Sequence, residues 1–108
     1  MTYNLDDLVS GATTHLPLSK GIGLRTMTAG TQLGLALQIN REALQAKQVE
    51  HVLERRFEQA LVYDGCYVFA NADGAMVLWH SVVPGDRPLP EVLNRLLSLA
   101  GLDALRRL

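Results

Sequence analysis

Leu33, Leu35, Leu37 and Ile39 alternate with Gln32, Gly34, Ala36 and Gln38. A period of two sends the two sets to opposite faces of a strand. This stretch therefore commits the chain to a sheet with one strongly apolar face. Gly34 and Ala36 leave the other face low, with room for a close neighbour. Just upstream, Leu24, Thr26 and Thr28 face one side and Arg25 and Met27 the other, with Ala29-Gly30 as the turn. The spacing predicts a hairpin over residues 24–39.

A second hairpin is centred on Asn71-Ala72-Asp73-Gly74, since Asp-Gly is a strong turn signal between apolar runs. Its first strand runs from Cys66 to Ala70 and its return strand from Ala75 to Val83. On the return strand Met76, Leu78 and His80 alternate with Val77, Trp79 and Ser81, so both faces are largely apolar. That is the pattern of a strand covered on two sides. The chain's own helices supply one cover, and a partner is expected to supply the other.

Three segments carry the helical period instead. From Tyr3 to Thr14, Leu5, Leu8, Val9 and Ala12 share a face, Asn4 is the expected N-cap, and Asp6-Asp7 suit the first turn. Pro17 and Gly21 then break the chain. From Arg41 to Leu61 the stripe is Leu44, Val49, Val52, Leu53, Phe57, Ala60 and Leu61, with Asn40 as N-cap. Its outer face mixes glutamates with Lys47, Arg55 and Arg56, and this pattern predicts a solvated face. After the polar loop Pro84 to Pro88, Leu89 to Ala100 forms a helix. Pro90 and Glu91 suit its start and Gly101 its end. Val92, Leu93, Leu96, Leu97 and Leu99 give it a wide apolar face, and residues 103–108 add one more turn or a frayed end.

The order is helix, hairpin, helix, hairpin, helix. It predicts one α+β domain over residues 1–108, an antiparallel sheet of two hairpins packed against three helices. Two strands precede the middle helix in this reading. Hydrophobic residues make up 48% of the chain and charged ones 19%, a globular balance.

The same residues narrow the function. The formal net charge is -1, and no basic face for phosphate contacts is visible, which argues against nucleic-acid binding. One cysteine cannot form an internal disulfide, so a reducing compartment is expected. Neither a secretory leader nor an apolar run of membrane-spanning length is visible, and the expectation is a soluble cytoplasmic protein.

Cys66 could act as a nucleophile with His51 or His80 as base. Nothing in the sequence activates it, and a buried inert thiol is the better reading. His15, His51, His80 and Cys66 lack zinc-site spacing, so no metal is expected. Asp64 and Asp73 sit in Asp-Gly turns, and the glycines from Gly21 to Gly23 lack a phosphate-loop context. No catalytic residue and no cofactor are expected. The surplus apolar surface, with Leu33, Leu35, Leu37, Trp79 and the last helix, points to a protein-binding module or an obligate dimer.

The second half of the chain resembles the small chaperones of type III secretion, the class typified by the Tir chaperone CesT. The residues that carry this are Asn71 to His80 with their Asp-Gly turn and apolar strand, the loop to Pro88, and the Leu-rich segment Leu89 to Leu102. The first half matches more loosely, as a short amphipathic helix and a hairpin of alternating leucines. The short chain is closer to the chaperone-like accessory or regulatory proteins of plant-pathogen Hrp secretion systems, a virulence apparatus.

The resemblance implies non-catalytic binding of a secreted or regulatory partner protein, as a homodimer or heterodimer. By region, it implies dimerisation through Val62, Val68, Val77 and Trp79, and partner binding through Leu5, Leu8, Leu33, Leu35 and Leu37. The competing readings are a structural subunit of a heteromeric assembly and a small enzyme or ligand-binding domain that uses Cys66.

Overall fold

A computed structural model describes residues 5–11, 13–83 and 87–107, the last two without their side chains. The elements are α1 (Leu5–Ser10), β1 (Leu16–Ser19), β2 (Ile22–Ala29), β3 (Gln32–Ile39), α2 (Gln48–Glu58), β4 (Cys66–Ala70), β5 (Met76–Ser81) and α3 (Leu89–Ala100). Short 3-10 turns occupy Arg41–Ala43 and Asp103–Arg107. The strands form one antiparallel sheet in the order β1-β2-β3-β5-β4. The α+β architecture with an antiparallel sheet and three helices is as expected.

Two features depart from the sequence reading. First, β1 adds a third strand before the middle helix, pairing Leu16 with Leu24 and Pro17 with Gly23. Pro17 looked like a break, but proline is tolerated on an edge strand, where its missing N–H costs no ladder bond. Second, the helix expected from Arg41 to Leu61 is shorter and interrupted. A 3-10 turn ends at Ala43, Leu44 is extended, and α2 begins after Lys47, whose φ of 64° is left-handed. Asn40 makes no side-chain cap; its Oδ1 instead accepts from Gln38 Nε2 at 3.0 Å. The N-cap expected at Asn4 falls outside the described residues.

The hairpins follow their turn chemistry. Ala29 pairs with Gln32 across Gly30-Thr31, where Gly30 takes a φ of 63°. Asn71 Oδ1 organises the β4–β5 loop by accepting from the backbone N–H of Asp73 at 3.0 Å and of Ala75 at 3.1 Å.

One face of the sheet carries the main core. Leu24, Leu35, Leu37, Ile39 and Leu78 meet Leu8 of α1 and Leu96, Leu97 and Leu99 of α3, all essentially buried. α3 closes with Gly101 in the left-handed region, its N–H reaching the carbonyls of Leu97 and Ser98, as the sequence suggested. Among the described residues no helix covers the centre of the opposite face, which is closed by the sheet's own side chains. Ala36, Val77 and Trp79 are buried there with Met27 against them. The indole lies across Gly34, where a Cβ would overlap the Trp79 ring, and its Nε1 donates to the Met27 carbonyl at 2.8 Å. The low surface at Gly34 thus admits this chain's own tryptophan.

Candidate partner-binding face

α2 presents an unpaired face. Of its residues only Gln48 and Val52 are buried. Three bonds to backbone carbonyls tie the helix down: Gln48 Nε2 to Ala100 at 3.2 Å, Arg55 Nε to Leu99 at 3.1 Å, and Arg56 Nε to Cys66 at 2.8 Å. The first two satisfy carbonyls at the end of α3, where the helix leaves them without partners. Arg55 and Arg56 are therefore half-buried ties, where the sequence suggested a solvated pair.

With the arginines turned inward, the apolar row faces outward. Relative exposure is 42% at Val49, 51% at Leu53, 85% at Phe57, 93% at Leu61 and 54% at Val62. Val49, Leu53 and Phe57 lie four residues apart and form one ridge along α2. Beside it a groove of about 250 Å³ runs between α2 and the β4–β5 edge, lined by Val49, Leu53, Val68, Phe69, Ala70 and Met76 among others. Round the edge, a second groove of about 420 Å³ lies on the outer sheet face between Met27, Ala29, Gln32, Tyr67, Phe69 and Trp79. Phe69 borders both, so the two grooves and the ridge make one apolar band. Tyr67 leans on Trp79 with ring centroids 5.8 Å apart.

The residues singled out for binding scatter across this picture. Val62 is exposed in the turn after α2, and Val68 is half-buried in the first groove. Trp79 forms the floor of the second groove, while Val77 is wholly buried. Leu8, Leu35 and Leu37 have no surface to offer: Leu35 and Leu37 alternate toward the helices, and Leu8 of α1 packs into the same core. Leu5 is half-buried against the core, and Leu33, near the start of β3, is 36% exposed. Sequence reasoning assigned Leu53 and Phe57 to the helix's inward stripe. The missed signal was the width of that stripe, which one buried side cannot absorb.

The Cys66 site also takes definite form. Cys66 pairs across the sheet with His80, so the topology does bring these two residues together. His80 Nδ1 meets the Ser81 carbonyl at 2.8 Å, which fixes the proton there. Its Nε2 lone pair accepts from Arg95 Nε at 3.0 Å. Arg95 also donates to the Asp64 carbonyl at 2.7 Å. Burial pushes the Cys66 thiol above its ordinary range, against the pull of the Arg95 and Arg56 charges. A protonated thiol beside an imidazole already engaged by a guanidinium is a poor nucleophile. Among the described residues no group of three or more His, Cys, Asp or Glu could hold a metal ion, and no helix is long and apolar enough to cross a membrane.

Together these features define an α+β module with a closed core and an open apolar band along α2 and β4. The model of the HrpV-like family matches residues 6–105, and the chain belongs to that family. The resemblance to the type III secretion proteins holds on this match. A solved chain from the heterodimeric ExoU–SpcU complex of the type III secretion system of Pseudomonas aeruginosa is similar at 18% identity. The match covers 86% of this chain and 81% of that one, with a TM-score of 0.49. No curated protein matches.

Proposed function

We propose that this chain is a non-catalytic, cytoplasmic binding module of a type III secretion system, which holds and stabilises a secreted or regulatory protein. The observation that carries this reading is the ridge Val49, Leu53 and Phe57, with Leu61 and Val62 also exposed just after the helix and two grooves that meet at Phe69. Scattered apolar residues are normal on a surface, but a contiguous band of this kind marks an interface. Covering Phe57 alone would contribute about 1.5–3 kcal/mol. The contact lies on the α2–β4 side, so Val62 and Val68 take part directly. Trp79 and Val77 build the floor beneath it, and Leu35 and Leu37 act only by holding the sheet.

The test is capture with the tagged chain from cells that express the secretion system, with the recovered protein identified. A protein of that system should be recovered by the wild type and lost with Leu53→Asp/Phe57→Asp, while the variant stays folded by circular dichroism. Undiminished recovery by the folded variant would remove the α2 face from the account.

A further inference from the structure

We propose that the α2 ridge takes an amphipathic helix flanked by lysines or arginines, contributed by a different protein and not by a second copy of this chain. The proposal rests on the reading of α2 as the binding face and specifies its occupant.

Glu50, Glu54 and Glu58 follow Val49, Leu53 and Phe57, about 100° round the helix, so an acidic row runs beside the apolar one. All three glutamates are exposed. The basic residues nearby do not answer them. Arg55 and Arg56 are held on the carbonyls of Leu99 and Cys66, and among the described residues Lys47 at the head of α2 forms no ion pair. Arg87, just before α3, pairs instead with Glu91 in its first turn. Like charges four apart on a helix repel each other, so the row costs the free chain a little and suits a cationic neighbour.

A second copy meets this row badly. An antiparallel self-pair along α2 uses a two-fold axis across the helix, and that rotation leaves each acidic row on the same side of the contact. Glutamates would then face glutamates. A parallel self-pair would set the row against the opposite flank of α2. There Val52 is in the core and Arg56 donates to Cys66, so no basic row is available. A helix of another protein, with leucines on its contact face and basic residues on one flank, satisfies both rows at once.

The experiment uses the full chain and two designed peptides. Both carry the same leucine face, one flanked by lysines and one by glutamates. The lysine peptide should bind about tenfold or more tighter, from three exposed pairs of ordinary strength. This preference should shrink between about 50 mM and about 500 mM salt. It should reverse in Glu50→Lys/Glu54→Lys/Glu58→Lys. Equal binding of the two peptides would overturn the charge argument and leave the docking face standing. Binding of neither peptide, or binding unchanged by Leu53→Asp/Phe57→Asp, would overturn the face itself. A concentration-dependent dimer of the chain alone, lost in Leu53→Asp/Phe57→Asp, would assign the ridge to a second copy.

Discussion

The helices α2 and α3 are nearly the same length, and both carry an apolar stripe, yet they use it in opposite ways. α3 buries Val92, Leu96, Leu97, Leu99 and Ala100 against the sheet. α2 buries Val52 and Gln48 and leaves Leu53 and Phe57 in solvent. Amphipathic patterning by itself does not say which protein will cover a stripe. The difference lies in how each helix is attached. α3 is held by close-packed leucines, while α2 is held by one valine and by side chains that reach across to carbonyls.

The comparison breaks first if α3 is not the more demanding helix. Leu96→Ala leaves a cavity in the closed core and should cost about 2–5 kcal/mol in chemical denaturation. Next comes the outer sheet face, whose middle belongs with the closed regions. Gly34→Ala forces the Trp79 ring off the sheet, since the new methyl would overlap it. Such overpacking should cost about 1–3 kcal/mol. The emission of the single tryptophan should move to longer wavelength as the indole becomes exposed.

Cys66 tests the closed region where β4 meets α3. Its thiol is held above the ordinary range by burial, so the folded state keeps a proton that the unfolded chain releases. Its contribution to stability is therefore complete below the ordinary thiol range and is lost as pH rises through that range and beyond. Denaturation midpoints of wild type and Cys66→Ser should converge in alkaline solution, and the native thiol should resist alkylation at neutral pH. The smallest effect belongs to the open helix. Leu53→Ala or Phe57→Ala should change the stability of the isolated chain by no more than about 0.5 kcal/mol, because these side chains have little to lose.

Much of this layout is legible in the sequence. The alternation from Leu33 to Ile39, the Asp-Gly turn at Gly74 and the Gly101 cap each point to the element that forms. What was not legible has physical causes. β1 is four residues long and carries Pro17, so its pairing depends on the edge it joins. The break before α2 passes through good helix formers, including Leu44, Ala46 and Lys47. Local preference there gives way to packing, with Ala43 and Leu44 against the core and Lys47 left-handed. That break turns the helix so that Arg55 and Arg56 meet the carbonyls and Phe57 meets solvent. Trp79 of β5 folds over Gly34 of β3, a contact between residues far apart in the chain that local patterning does not announce.

The central claim is that α2 is built to be covered by another protein. The direct measurement pairs the stability of Leu53→Asp/Phe57→Asp with its affinity for the secretion-system protein that the wild type recovers. The account predicts a denaturation midpoint close to that of the wild type and an affinity lower by about a hundredfold or more, as expected when a hot-spot pair is replaced by charge. A variant that unfolds would show that α2 belongs to the chain's own core. A folded variant that binds as well as the wild type would show that the partner sits elsewhere.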